Sequence, residues 1–160
     1  MGLTTFKGLI RMIRIALLWE DAMTSRFDHA EVLAALWRLG AGEELLPTSH
    51  GILDRALKDC LDKLPEMLRN ELTFGITGVG LRCYEIPDIL LAAQEALLTS
   101  EPNPTYLETA VTLNEDRARQ IVLSHGLSTD QARKIGRELK ASVDRIRRDF
   151  SLDAGQPTAA

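Results

Sequence analysis

The side chains with the clearest chemical use in this sequence are arginines and lysines that could bind phosphate groups. Seven of them are the candidate nucleic-acid contacts: Arg55, Lys58, Arg69, Arg82, Arg133, Arg137 and Lys140. The last three fall near one face of a predicted helix and could follow a phosphate backbone. A solvated basic face is the alternative, because the chain has a net charge of −4, unlike the strongly basic footprint typical of phosphate-binding proteins.

Patterns typical of catalysis or metal binding are missing from the sequence. His29, His50 and His125 have neither one another nor a cysteine at metal-ligand spacing. The glycines at positions 75, 78 and 80 give GxxGxG, which is neither a P-loop nor the GxGxxG dinucleotide fingerprint. We therefore expect no enzyme activity, no catalytic residues, no metal and no cofactor.

An amphipathic helix from Ile52 to Leu64 is expected to present Arg55 and Lys58. Apolar residues recur along it at the spacing that lays one stripe against a core. Thr48 or Ser49 is placed to cap its first turn, and the following Pro65 should end it.

Two short alternating segments follow this helix around a turn from Thr77 to Gly80. Every second residue from Leu72 to Ile76 is apolar, and Leu81 and Cys83 continue the alternation beyond the turn. This pattern predicts two antiparallel strands with one buried face. The glycines supply the positive φ that a tight hairpin needs.

Helices are also predicted on both sides of these elements. One runs from Phe6 to Trp19, and another follows the capping-box spacing of Asp28 and Glu31 and ends at Gly40. A further helix starts near Pro87. In this order of elements, residues 6–99 resemble the winged helix-turn-helix superfamily of many bacterial regulators.

That resemblance implies a recognition helix followed by a wing, but one feature departs from the family. The connection from Ala41 to Pro47 is longer than its usual tight turn. A helical domain that merely carries a hairpin is the alternative.

The C-terminal third predicts a helical hairpin. Asn114 should begin its first helix, Gly126 should end it, and Ser128 with Gln131 forms a capping box for the second. An appended helix often supplies dimer contacts in winged-helix regulators. The apolar seam expected to do so here is Ile135, Leu139, Val143 and Ile146. Packing of this helix on its own domain is the alternative.

These elements define the predicted organisation. The fold class is mainly α, or α+β with one small β-hairpin: a winged-helix-like domain followed by a C-terminal helical hairpin. A Glu-Pro-Asn-Pro break at 101–104 separates a domain over 1–100 from the hairpin over 101–151. Residues 152–160 are expected to be a disordered tail.

The N-terminal helix is apolar apart from Gly8 and three bases, Lys7, Arg11 and Arg14, which share one face. Such helices can lie in a membrane interface. A helix that is apolar around most of its circumference is more often buried by its own protein or by a second subunit, so no membrane partner is expected. With no signal peptide and two cysteines predicted to be reduced, the expected location is cytoplasmic.

The combined prediction is a DNA-binding regulatory or accessory protein, acting as a homodimer that inserts the Ile52–Leu64 helix into the major groove of duplex DNA. The alternative is a protein–protein interaction module or adaptor that binds no nucleic acid. The two differ in whether Arg55, Lys58, Arg69 and Arg82 converge on one positive surface.

Overall fold

The computed structural model describes residues 3–49, 51–100 and 107–154. It is mainly helical and carries a β-hairpin, which confirms the predicted fold class at this level. The predicted break at 101–104, His50 and most of the predicted tail lie outside the described residues. The elements are α1 (Leu3–Ala41), β1 (Leu46–Pro47), α2 (Ile52–Asp59), a 3-10 turn (Leu61–Lys63), α3 (Glu66–Glu71), β2 (Phe74–Thr77), β3 (Gly80–Cys83), α4 (Ile86–Glu95), β4 (Glu108–Thr109), α5 (Glu115–Ser124) and α6 (Thr129–Ala154).

The first two predicted helices are one continuous helix of 39 residues, α1. Residues 20–27 contain neither glycine nor proline, so nothing in the backbone interrupts the hydrogen-bond ladder there. The predicted capping box at Asp28 and Glu31 is wrong for this reason, because both residues lie inside α1. A helix-turn-helix arrangement would need a turn at this point.

The C-terminal half of α1 packs against α6 in the core. Between Ala30 and Leu39 all but two residues are buried. Gly40 was predicted to end the helix, but α1 continues to Ala41, and Gly42, with φ +67°, follows its end. Gly40 instead lets two backbones meet, since a Cβ atom there would lie 2.0 Å from the carbonyl carbon of Gly136 in α6.

The predicted Ile52–Leu64 helix is divided in the structure. α2 has only eight residues, and a 3-10 turn follows it. Leu64 is extended, with ψ 151°, as expected for a residue that precedes proline. Gly51 stands at the N-cap in place of the predicted Thr48 or Ser49, and its N–H donates to Asp54 Oδ2 at 3.2 Å.

The predicted hairpin is present, with Thr77 paired to Gly80 and Gly80 at φ +103°. Asp54 ties it to α2, because the buried carboxylate accepts a 2.6 Å hydrogen bond from the Cys83 N–H. The predicted apolar face is buried only at its base. Ile76 and Val79 at the tip are 81% and 76% exposed.

A second two-stranded sheet was not predicted. It pairs Leu46–Pro47 with Glu108–Thr109 in antiparallel register. Strands of two residues are too short to show an alternating pattern, so the sequence gives no signal for them.

The C-terminal helical hairpin follows its predicted caps. Asn114 accepts a 2.8 Å hydrogen bond from the Arg117 N–H, and Ser128 and Gln131 form the reciprocal capping box at 3.0 and 3.1 Å. The seam of α6, however, packs inside a single chain against α1 and α2.

This packing corrects the predicted dimer seam. Leu139 and Val143 are fully buried, Ile146 is 6% exposed, and Ile135 packs partly buried against the same core. Leu139, Val143 and Ile146 therefore form no outer surface through which two copies could meet, and Ile135 is left as the one partly exposed residue of the seam. The sequence left open whether α6 makes dimer contacts or packs on its own chain. In the structure α6 packs on its own chain.

Candidate nucleic-acid interface

The bases of α6 divide into two groups that point in different directions. Arg133, Lys140 and Arg147 are spaced seven residues apart, so they share one flank of the helix. Each forms an ion pair with a carboxylate from another segment of the chain. These partners are Glu115 of α5 at 3.1 Å, Glu44 before β1 at 3.0 Å and Glu108 of β4 at 2.6 Å, respectively.

Two predicted phosphate contacts, Arg133 and Lys140, therefore hold α6 against its neighbours. Lys140 also binds Asp144 at 2.6 Å, and hydrogen bonds to Asp144 and Glu44 raise its pKa above the usual value. The pKa of Glu115 is lowered by a hydrogen bond from Arg119, with a contribution from Arg133. Charges compensated in this way offer little to an external phosphate.

The outer face of α6 carries bases with a different environment. Lys134, Arg137 and Arg148 are exposed. Within residues 3–49, 51–100 and 107–154, no carboxylate lies within ion-pair distance of any of the three. Of the predicted contacts on α6, Arg137 alone belongs to this group, and Lys134 and Arg148 were not among the predicted site residues.

A basic groove runs along this outer face, where α6 meets α2 and the 3-10 turn. It consists of three adjoining depressions of about 400 Å³ each. Seven basic residues line it against four acidic ones, Asp59, Asp62, Asp130 and Glu138. The bases are Lys63, Arg69, Arg133, Lys134, Arg137, Arg145 and Arg148.

Two bases of the groove are partly neutralised across it. Lys63 pairs with Glu138 at 3.0 Å, and Arg145 pairs with Asp59 at 2.6 Å. Arg133 is paired with Glu115, as described above. Arg69, which donates to the Asp62 carbonyl, and Lys134, Arg137 and Arg148 have no carboxylate within ion-pair distance among the described residues, so we expect these four bases to act on a ligand.

Four of the predicted contacts lie in the first half of the chain, and they do not converge on one surface. They are Arg55, Lys58, Arg69 and Arg82. Arg69 lies in the basic groove, whereas Arg82 lines a separate cavity of about 320 Å³ with Thr48, Tyr84 and Pro87.

The two bases of α2 lie over aromatic rings. The Arg55 guanidinium is 4.8 Å from the Phe150 ring centre, and Lys58 Nζ is 5.0 Å from that of Phe74. α2 also packs against α6 and β3. Arg55 and Lys58 are nevertheless exposed, and the insertion of this helix into a major groove stays a prediction.

The described residues closest to a metal-binding arrangement are Asp28, Glu31 and His125, whose candidate ligand atoms lie within 4.8 Å of one another. His125 Nε2 is 3.9 Å from Glu31. Ligands of one tetrahedral zinc ion lie about 3.3 Å apart, given bonds of about 2.0 Å. The cluster is wider than that and joins α1 to the end of α5. The sequence analysis missed it because it assigned the two carboxylates to a helix cap.

The two cysteines are buried and free, as predicted. Burial raises the pKa of Cys60, and it raises the pKa of Cys83 to about 12. Since the thiolate is the nucleophilic form, neither side chain is suited to covalent catalysis near neutral pH.

A second unusual surface is the exposed segment of α1, residues 8–18. Every residue in it is exposed, so the predicted burial by the chain itself is wrong there. Seven large apolar side chains in it are more than half exposed: Leu9, Ile10, Met12, Ile13, Ile15, Leu17 and Leu18. In the described part of the chain, no helix combines the length and hydrophobicity needed to cross a bilayer.

Comparison of this chain with protein-family models, curated proteins and solved structures gives no match. The winged-helix resemblance therefore stays a prediction, and function has to be argued from the surfaces described above.

Proposed function

We propose that the chain is a nucleic-acid-binding accessory protein that contacts the phosphate backbone through the basic groove. One observation carries this proposal: seven bases against four acids line one continuous surface of a chain with a net charge of −4. Such a local excess of positive charge attracts phosphate even when the whole protein is acidic.

The shape of the surface supports the same function. Along α6, the bases from Lys134 to Arg148 extend over about 21 Å at 1.5 Å per residue, which is roughly two thirds of a turn of B-DNA. Long, exposed side chains on one helix face can follow a strand over this distance. They read the backbone rather than the base edges, so we propose binding with little sequence preference.

A protein-interaction module is the second candidate, and the hairpin tip favours it. The Ile76 and Val79 side chains are almost fully exposed there, and exposed apolar groups at a protruding turn are suited to contact another protein. This role would need no phosphate binding.

The test measures binding of the purified protein to a fluorescent duplex of about 30 base pairs at several salt concentrations. A variant with Lys134→Gln, Arg137→Gln and Arg148→Gln should bind more weakly, and its slope of log affinity against log salt should be smaller by up to about 3. Duplexes of unrelated sequence should lose affinity to the same extent.

A matched control removes the same charge from paired bases outside the basic groove. Arg119→Gln, Lys140→Gln and Arg147→Gln eliminate bases that already pair with carboxylates, so the salt slope should change much less. Equal losses in the two triple variants would mean that only net charge matters and would contradict the basic groove. Wild-type affinity weaker than about 0.1 mM near physiological salt would end the proposal and would favour the protein-interaction candidate.

A further inference from the structure

We propose that the exposed segment of α1 (residues 8–18) is a membrane-surface anchor that lies in the interface of a bilayer containing anionic lipids. This inference does not depend on nucleic-acid binding, since the segment and the basic groove share no residue. It revises the expectation of no membrane partner, because that expectation assumed burial of this helix by protein.

Exposure is the first observation behind the proposal. The seven large apolar side chains of the segment are each between 51% and 73% exposed, so the chain's own core covers none of them. Soluble proteins rarely leave a continuous apolar surface of this kind in water. Some other apolar phase must therefore cover the segment.

The distribution of side chains around the helix is the second observation. At 3.6 residues per turn, six of the seven large apolar residues fall within about 220° of the circumference. Arg11 and Arg14 lie on the remaining arc, together with Leu18. An in-plane helix immerses a wide apolar face in the acyl boundary and turns its basic face to the headgroups.

Charge complementarity identifies the lipid. Residues 3–18 hold three bases and no acid, in a chain that is acidic overall. A surface of anionic headgroups accounts for both the apolar arc and the single sign of its charges. The eleven residues are about 16 Å long, about half of the thickness of the hydrocarbon core, so the segment would lie along the interface.

A second copy of the chain fits these observations less well. A helix that packs on one partner helix buries a stripe of roughly 100°, which would leave about half of the apolar arc in water. It would also gain nothing from a strip made only of bases, because the partner's segment carries the same charge.

The test is sedimentation of the full chain with vesicles of phosphatidylcholine and phosphatidylglycerol at a 70:30 ratio, compared with vesicles of phosphatidylcholine alone. The wild type should sediment with the anionic vesicles and much less with the neutral ones. Arg11→Gln with Arg14→Gln should lower partitioning about 25-fold, about fivefold for each base. Ile13→Asp with Leu17→Asp should lower it at least tenfold.

A charge-matched control is Arg117→Gln with Arg119→Gln, which removes two exposed bases from α5, outside both the basic groove and the exposed segment, and should leave vesicle binding nearly unchanged. All variants alter exposed residues, so circular dichroism should show wild-type folding. The proposal is overturned if the wild type does not bind anionic vesicles, or if the aspartate variant binds them as well as the wild type does. A wild-type oligomer that the aspartate variant converts to monomers, without vesicle binding, would identify a second copy as the partner instead.

Discussion

The two halves of α1 belong to one helix, yet one is core and the other is surface. Residues 30–39 are almost entirely buried, whereas residues 8–18 are exposed throughout. Both stretches are rich in large apolar residues, so hydrophobicity does not separate them. The difference shows that the burial of a helix is decided by the segments that reach it.

The buried half meets its partners because small residues allow close approach. At Gly40 and Gly136 the backbones of α1 and α6 come so near that neither position has room for a Cβ atom. Around Gly8, in the exposed half, a Cβ would meet nothing within 4 Å. Gly40 and Gly8, which belong to the same helix, therefore provide the sharpest test of the comparison between its two halves.

Gly40→Ala should have the largest effect. The added methyl group would lie 2.0 Å from the Gly136 carbonyl carbon and 2.3 Å from the Arg137 nitrogen. Backbone atoms cannot rotate away, so the two helices must separate, and we expect a loss of at least about 3 kcal/mol in the free energy of unfolding. Urea unfolding followed by circular dichroism measures this loss.

Gly8→Ala is the matched control in the same helix. Alanine is the better helix former by about 1 kcal/mol, and open space surrounds the site, so stability should stay equal or rise slightly. If Gly40→Ala behaved in the same way, the close crossing of α1 and α6 would be contradicted.

Leu36→Ala should have the next largest effect. Leu36 is fully buried in the half of α1 that belongs to the core, and truncation would leave a cavity beside α6. We expect a loss of about 2–5 kcal/mol, seen as a lower urea midpoint with an unchanged slope. An effect below about 1 kcal/mol would indicate that this half of α1 is not packed as described.

Local signals in the sequence were enough to predict several elements. The caps at Asn114 and Ser128 depend on side chains within three residues of the backbone they bind, and the hairpin depends on a turn that closes on itself. Such features can be predicted without knowledge of the rest of the fold. The division of the predicted Ile52–Leu64 helix at Cys60 was not predicted, because the apolar stripe continues across it.

Long-range packing was not predictable in the same way. An apolar seam on α6 looks the same whether it faces α1 or a second copy, so the sequence left both alternatives open. Ile76 alternates correctly for a buried face, but it is 81% exposed, so none of the segments that the structure describes covers the hairpin tip. The pattern of apolar residues identifies which face of an element is apolar, but it does not reveal which segment covers that face.

The candidate site shows the same limit. Arg133, Arg137 and Lys140 fall near one another on a helical projection, but ion pairs with Glu115 and Glu44 remove Arg133 and Lys140 from the uncompensated set. Glu115 and Glu44 are distant in sequence, so only the fold reveals these two pairs. The pair of Lys140 with Asp144, four residues apart on one helix, was within reach of the sequence. Arg137 kept its predicted place on an exposed surface.

Leu17→Ala should have the smallest effect on stability and completes the comparison with Leu36→Ala. The same side chain is truncated in the same helix, but Leu17 is 55% exposed and its removal leaves no cavity. Because alanine is also a slightly better helix former, the free energy of unfolding should stay within about 0.5 kcal/mol of the wild type. Parallel urea titrations of the two variants measure the difference. A loss approaching that of Leu36→Ala would show that protein already covers the segment in solution. Leu17 would then be buried in water, contrary to the structure. A negligible loss would leave the exposed segment available to a partner, as the membrane proposal requires.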